Sequence, residues 1–157
     1  GKGTAFKIYL PIAKEAAEEI RPIIPQPPIG GTETLLVAED DGEVRRLTKV
    51  LLEEFGYRVI EAVDGEDAIR RFIENRGEVS LIILDVIMPR KNGREAYEEI
   101  LKTAPLVKAL FLSGYTEDTI LKKGILEKGF NFLSKPVSPT SLLKKIREII
   151  DGTDPAR

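Results

Sequence analysis

Three residue types are absent from the 157-residue sequence: cysteine, histidine and tryptophan. Without cysteine the chain has no disulfide bonds, no thiolate metal site and no cysteine nucleophile. Without histidine it has no Ser-His-Asp triad, no histidine-bound zinc and no histidine phosphodonor of its own. Any chemistry must therefore come from carboxylates, hydroxyls, lysines and a hard metal ion.

The sequence also lacks long apolar runs and a strong excess of either charge. No run approaches the roughly 20 apolar residues that span a bilayer, and the start, Gly1-Lys2-Gly3-Thr4, leads into no apolar segment typical of a signal peptide. The 24 basic and 26 acidic residues give a net charge of −2. Bulk charge therefore does not favour nucleic-acid binding, and we expect neither a nucleic-acid partner nor membrane contact for this sequence.

Proline is unevenly distributed along the chain. Half of the ten prolines lie near the start, namely Pro11, Pro22, Pro25, Pro27 and Pro28. Gly30-Gly31 follows them. Pro-rich sequence is stiff and extended and cannot join a regular hydrogen-bond ladder. We therefore predict a linker over residues 12–32, between an N-terminal piece at 1–11 and a domain at 33–151, with a tail at 152–157.

Within this domain, a short apolar segment followed by an amphipathic one recurs five times. The predicted strands cover residues 35–38, 58–60, 81–84, 108–112 and 130–133. The predicted helices cover residues 44–55, 64–73, 93–101, 117–127 and 139–150. This alternation predicts a doubly wound α/β domain with a parallel sheet covered on both faces. Such sheets bind ligands at the carboxyl ends of their strands.

Candidate functional side chains follow the first, third, fourth and fifth predicted strands. They are Glu39, Asp40 and Asp41 after the first strand, Asp85 after the third, Ser113 after the fourth and Lys135 after the fifth. Because the carboxyl ends of parallel strands meet at one edge, these groups are expected in one cleft. Clustered carboxylates repel one another unless a cation compensates them.

Magnesium is the cation that suits this set, because it prefers oxygen ligands and binds through one or two carboxylates together with phosphate oxygens. Asp40 and Asp85 are the expected direct ligands. Glu39 is one methylene longer than Asp and is expected to act through water. A backbone carbonyl near Ile87 is expected to complete the protein's ligands.

The chemistry that fits is phosphoryl transfer to a carboxylate. Its transition state carries charge on three equatorial oxygens and needs positive groups around them. Asp85 is the expected nucleophile and forms an aspartyl phosphate. Lys135 supplies a point charge and Ser113 a hydroxyl donor.

Each of these residues, taken alone, also has a simpler explanation. A helix cap explains Asp40 or Asp41, and a turn explains Asp85 or Ser113. Lys135 alone is explained as a surface lysine at a strand end. The joint pattern favours a functional site, because four strands must each deliver the correct group to the same edge.

Residues 33 to about 151 resemble the receiver domain of two-component response regulators. The matching segments are Leu36-Val37-Ala38-Glu39-Asp40-Asp41, Asp85-Val86-Ile87-Met88-Pro89, Leu112-Ser113-Gly114-Tyr115 and Lys135-Pro136. The resemblance implies a flavodoxin-like five-stranded parallel sheet in the order 2-1-3-4-5, with helices on both faces.

The resemblance also implies a role for each matching residue. Asp85 matches the phosphoacceptor, Glu39 and Asp40 the acidic pair that binds Mg²⁺, Lys135 the lysine that contacts the phosphoryl group, Ser113 the switch hydroxyl and Phe132 the aromatic switch position. Two departures from the family pattern are mild: Glu39 replaces the more frequent Asp, and Ser113 the more frequent Thr. Neither is expected to abolish phosphorylation.

A second resemblance lies at the start of the chain. Residues Gly1 to Pro11 resemble the closing segment of a histidine-kinase ATP-binding domain, in which Gly-x-Gly-Thr-x-Phe leads into the last strand. This implies the C-terminal receiver of a hybrid sensor histidine kinase, located in the cytoplasm. The implied partners are a histidine kinase, or its dimerisation and phosphotransfer domain, and a downstream phosphotransfer protein. The alternative for this short match is a tag remnant or a disordered tail.

Two other functions remain open on the residues alone. Haloacid-dehalogenase-type phosphatases also use an Asp nucleophile, Mg²⁺, a Ser or Thr and a Lys, but they carry Asp-x-Asp after the first strand, where this chain has Glu39-Asp40-Asp41. A pseudo-receiver, used only for protein contacts, would lack the acids or the lysine. The chain has no kinase motifs, so we expect it to accept a phosphoryl group in a reaction that it assists itself.

Overall fold

Five parallel strands form one sheet at the centre of the structure, a computed structural model that describes residues 3–4, 6–7, 30–115 and 130–152. The strands are β1 (Thr34–Ala38), β2 (Arg58–Ala62), β3 (Val79–Asp85), β4 (Lys108–Ser113) and β5 (Asn131–Ser134). Their order, β2-β1-β3-β4-β5, confirms the predicted order. The proposed linker before residue 30, the helix predicted over residues 117–127 and the tail beyond Gly152 lie outside the described residues.

Four α-helices connect or follow these strands within the described residues. They are α1 (Gly42–Glu54), α2 (Gly65–Glu74), α3 (Gly93–Leu101) and α4 (Pro139–Asp151). Each begins after a side chain that accepts a hydrogen bond from a backbone N–H of the first turn; these are Asp41, Asp64, Asn92 and Ser138. None of these helices is both long enough and apolar enough to cross a bilayer.

The core consists of two layers, one on each face of the sheet. Successive side chains of a strand point to opposite faces, so Leu36 joins the buried cluster under α2 and α3, whereas Leu35 joins the cluster under α1 and α4. Phe72 and Ile100 fill the first layer, and Leu143 is fully buried in the second. The doubly wound architecture predicted from the alternation of strands and helices is therefore confirmed.

Close packing fixes the loop that follows β3. A Cβ on Gly93 would lie 2.2 Å from the backbone oxygen of Asp85, and a Cβ on Gly65 would lie 2.3 Å from that of Lys91. Only glycine therefore allows α3 to begin directly against the end of β3. Asp64, which is fully buried, also forms an ion pair with Arg90 of this loop. The backbone beside Asp85 is held from two sides.

The segment before β1 is fastened at the opposite edge, where the strands begin. The Gly31 N–H donates to the backbone oxygen of Phe55 at 3.0 Å, and a Cβ on Gly30 would lie 2.0 Å from that oxygen. Arg147 of α4 donates to Glu33 at 2.7 Å. The chain therefore enters the domain along the amino-terminal edge of the sheet.

Candidate functional site

Three carboxylates meet at the carboxyl edge of the sheet. One oxygen from each of Glu39, Asp40 and Asp85 lies within 4.8 Å of the others. Glu39 directly follows β1 and is only 5% exposed, whereas Asp40 is exposed to solvent. Asp85 is the last residue of β3. The structure thus brings together the three acids that the sequence nominated as metal ligands.

Lys135 bridges two of these carboxylates. Its Nζ donates to Glu39 Oε2 at 2.6 Å and to Asp85 Oδ2 at 2.7 Å. Lys135 directly follows β5, and its N–H donates to the backbone oxygen of Ser113 at 2.7 Å. With its side chain 25% exposed, Lys135 is not a free surface lysine but the cation of the acidic cluster.

Burial and charge act in opposite directions on this cluster. Burial raises the pKa of Glu39, and the neighbouring Asp85 carboxylate raises it further, while the hydrogen bond from Lys135 lowers it; the net pKa is raised. Burial alone would lower the pKa of Lys135, but the hydrogen bonds to Asp85 and Glu39 outweigh it, and the pKa is raised. Lys135 is therefore charged at neutral pH, and the cluster attracts cations.

The structure distinguishes the roles of the two aspartates that precede α1. Asp41 Oδ1 accepts from the backbone N–H groups of Glu43 at 2.9 Å and Val44 at 3.1 Å. These bonds lower the pKa of Asp41. Asp41 is thus the helix cap, while the Asp40 carboxylate belongs to the acidic cluster.

Ile87 and Ser113, two further predicted site residues, follow the end of β3 and end β4, respectively. Ile87 is half exposed, and its N–H donates to Asp85 Oδ1 at 3.1 Å. Ser113 ends β4 and is buried, and its Oγ accepts from the Tyr115 N–H at 3.1 Å. That bond uses a lone pair of Oγ and leaves its O–H free to donate. The metal role of the Ile87 carbonyl stays a prediction.

Phe132 lies on β5, paired in register with Phe111 of β4, and is half buried. Three other rings make edge-to-face contacts nearby, namely Tyr97, Phe111 and Phe130, with centroids 5.4–6.1 Å apart. The sequence pattern indicated Phe132 but not the group of three rings beside it. The switch role of Phe132 stays a prediction.

Sequence reasoning also missed Arg45. Its Nη1 donates to the backbone oxygen of Glu39 at 2.7 Å, although six positions separate the two residues. The only sequence signal is a basic residue one turn into the helix that follows the acids, which is an ordinary place for a solvated arginine.

Comparison with known proteins identifies the domain. Residues 35–147 match the family model of the response regulator receiver domain. The chain belongs to this family. The receiver-domain match covers all five described strands except Thr34, the first residue of β1, and the greater part of α4.

Two curated relatives illustrate the range of proteins that carry such a receiver domain. The sensor kinase CckA of Brucella abortus (strain 2308) is 34% identical over 162 residues, which cover 98% of this chain and 17% of the relative. The chemotaxis protein CheY of Treponema pallidum (strain Nichols) is 28% identical over 142 residues, which cover 88% of this chain and 99% of the relative. The chain thus spans less than a fifth of the length of the sensor kinase.

Solved structures agree with this receiver fold. The receiver domain from the hybrid histidine kinase CckA has a TM-score of 0.64 and 32% identity, covering 74% of this chain and 98% of that one. The response regulator TrrA from Thermotoga maritima, solved in complex with Mg(2+)-BeF, has a TM-score of 0.64 and 29% identity, covering 74% and 98%.

Proposed function

We propose that this receiver domain accepts a phosphoryl group on Asp85 from a phosphohistidine, with the help of Mg²⁺. The observation that carries the proposal is the arrangement at the sheet edge. Asp85 and Glu39 share one ammonium group, that of Lys135, and Asp40 stands beside them. The proposed nucleophile, the acids proposed to bind the metal and a positively charged group thus lie together at the carboxyl edge of the sheet.

The donor set fits Mg²⁺. Three carboxylates that converge within 4.8 Å offer only oxygen ligands, and the described residues bring no nitrogen or sulfur ligand to the site. One of the acids, Asp40, is exposed, which leaves room for the waters that Mg²⁺ usually keeps. Asp40 and Asp85 would bind the ion directly and Glu39 through water. Mg²⁺ bound there would supply positive charge to the phosphoryl oxygens.

The transfer step is a displacement at phosphorus. A carboxylate oxygen of Asp85 forms a bond to phosphorus, while the bond from phosphorus to the imidazole nitrogen of the donor breaks and leaves its electron pair on that nitrogen. Lys135 is 2.7 Å from Asp85 Oδ2 and donates to a phosphoryl oxygen as charge develops there. The Ser113 hydroxyl donates to another and, together with Phe132, changes the surface that partners read.

This proposal is tested by mass spectrometry after incubation with acetyl phosphate and Mg²⁺. The expected result is a gain of one phosphoryl group that maps to Asp85 and requires Mg²⁺. Modification at another residue would contradict the assignment. Repeated turnover of a generic phosphate ester would instead support a phosphatase, and no detectable Mg²⁺ binding at millimolar metal would support a pseudo-receiver.

The donor must be a separate histidine, because the 157 residues contain none. We propose that it belongs to a histidine kinase or a phosphotransfer domain and meets the receiver at α1, in the cytoplasm. This helix begins two residues after Asp40 and carries Val44, Leu47 and Val50, which are 38%, 70% and 46% exposed. Apolar residues exposed in a row beside a reactive group suit an apolar face on a helical donor.

Leu47→Gln is expected to separate protein donors from small ones. Truncating a residue near the centre of an interface costs more than about 1 kcal/mol, or roughly 5-fold or more in affinity, and Leu47 is the most exposed of the three apolar residues. Transfer from a phosphorylated kinase domain should slow by that factor, while labelling by acetyl phosphate stays unchanged. The matched control is Leu106→Gln, because Leu106 is 93% exposed but precedes β4, at the other edge of the sheet. Equal effects of both variants on the kinase reaction would contradict docking at α1.

The parent protein is proposed to be a hybrid sensor kinase. The similarity to the Brucella sensor kinase extends over 98% of this chain, and so runs well beyond the receiver match at 35–147. This extent supports the interpretation of residues 1–11 as the end of an ATP-binding domain and of 12–32 as a linker. In this protein the receiver domain accepts the phosphoryl group on Asp85 and passes it on to a phosphotransfer protein.

A further inference from the structure

Arg45 contacts the loop that carries two of the three acids, and we infer that it is a positioning residue for the Mg²⁺ site. The inference rests on the proposed function. The Arg45 guanidinium, with its side chain only 17% exposed, donates to the Glu39 backbone oxygen at 2.7 Å. Within the described residues it forms no hydrogen bond or ion pair with the side chains of the three clustered acids, and it therefore acts through the backbone.

The carbonyl that Arg45 holds belongs to the peptide unit between Glu39 and Asp40. A peptide unit is planar, so fixing its carbonyl fixes both the ψ angle of Glu39 and the φ angle of Asp40. The other side of Glu39 is fixed as well, because its N–H donates to the Ala62 backbone oxygen at 3.2 Å. Together the two bonds determine the directions in which the Glu39 and Asp40 side chains leave the backbone.

The carboxylate of Glu61 orients Arg45 itself. Glu61 of β2 lies 3.7 Å from Arg45 Nε and accepts from Lys49 Nζ at 2.9 Å. Arg45 and Lys49 stand one turn apart on α1, so this helix is tied to β2 and, through Arg45, to the loop after β1. Such outer contacts hold metal ligands in their binding geometry, and their loss commonly weakens metal binding.

Two effects of Arg45 on Mg²⁺ have opposite signs, and this makes the inference testable. As a positive charge near the acids, Arg45 repels a cation, so its removal would tighten Mg²⁺ binding. As the group that fixes the Glu39–Asp40 peptide, it favours the binding geometry, so its removal would weaken Mg²⁺ binding. We expect positioning to dominate, because Arg45 bonds directly to the loop.

The test is isothermal titration of Mg²⁺ into wild type, Arg45→Met and Arg46→Met at fixed ionic strength. Arg46 is the matched control: it is exposed on the same helix, and its substitution removes the same charge. We expect Arg45→Met to raise the Mg²⁺ dissociation constant about tenfold or more, and Arg46→Met to leave it unchanged or slightly lower. Labelling of Arg45→Met by acetyl phosphate should return toward the wild-type rate at saturating Mg²⁺.

Each alternative outcome has a distinct meaning. If Arg45→Met binds Mg²⁺ as tightly as wild type or more tightly, the positioning role is wrong while the proposed function stands. If wild type itself binds no Mg²⁺, the proposed function fails first. Thermal unfolding without metal shows whether each variant folds. Should Arg45→Met not fold, Arg45→Lys decides: it keeps the charge but not the planar fork, so weaker Mg²⁺ binding supports positioning and wild-type binding overturns it.

Discussion

Asp85→Asn is expected to end the uptake of a phosphoryl group from acetyl phosphate. An amide oxygen is a far weaker nucleophile than a carboxylate oxygen, so labelling should fall by more than about 10³-fold, to the background of the assay. Asn matches Asp in shape and can still accept from the Ile87 N–H, and the fold should therefore survive. Intact-mass measurement after incubation with acetyl phosphate and Mg²⁺ gives the result directly.

The matched control for this variant is Asp41→Asn. Asp41 is close in sequence to the metal acids but caps α1, and Asn caps helices as well as Asp does. Labelling of this variant should equal that of wild type. If Asp85→Asn is labelled as well as wild type, Asp85 is not the acceptor, and the neighbouring acids must be mapped instead.

Lys135→Met is expected to separate metal binding from phosphoryl transfer. Without the ammonium group that faces the developing charge, labelling should slow by about 10²–10³-fold, the usual cost of losing one such donor. Mg²⁺ should bind at least as tightly as in wild type, because Lys135 no longer competes for Glu39 and Asp85. Titration calorimetry and labelling at saturating Mg²⁺ measure the two effects separately.

The same variant, Lys135→Met, is also expected to be less stable than wild type when no metal is present. Without metal, Glu39 and Asp85 lose the ammonium group that they share, and leaving buried polar groups unpaired costs about 1–3 kcal/mol. Addition of Mg²⁺ should recover this loss, because the ion binds only the folded state. Lys144→Met is the control, since Lys144 is an exposed lysine of α4. Equal losses of labelling in both variants would contradict a role for Lys135 at the site.

The ends of the strands were predictable because they depend on local pattern. Apolar runs locate the strands, parallel pairing brings their ends to one edge, and this is sufficient to gather Glu39, Asp85 and Lys135. The choice between Asp40 and Asp41 as helix cap was not predictable, because the sequence does not fix at which of the two the helix begins. The extended backbone of Asp41, with φ −72° and ψ 114°, decides it.

Contacts between elements that are distant in the sequence could not be predicted from it. The spacing of Val44, Leu47, Leu51 and Phe55 correctly predicted α1, but periodicity does not show which of these residues face the core. Val44 and Leu47 lie exposed, and Leu52 is the buried residue of this helix. Arg45 escaped notice for the same reason, since its bond to a backbone oxygen depends on how the helix packs against β2.

The attachment of Gly31 to Phe55 bears on how the proposed donor would reach Asp85. The preceding polypeptide joins the amino-terminal edge of the sheet, while Asp85 lies at the carboxyl edge. A five-residue strand, which is about 15–17 Å long, separates the two edges. If the proposed phosphohistidine lies upstream on the same polypeptide, it must reach from the amino-terminal edge of the sheet to the carboxyl edge, whereas one on a separate molecule is free of that constraint. The attachment at the amino-terminal edge thus leaves the carboxyl edge of the sheet, where Asp85 lies, to the partners that we propose.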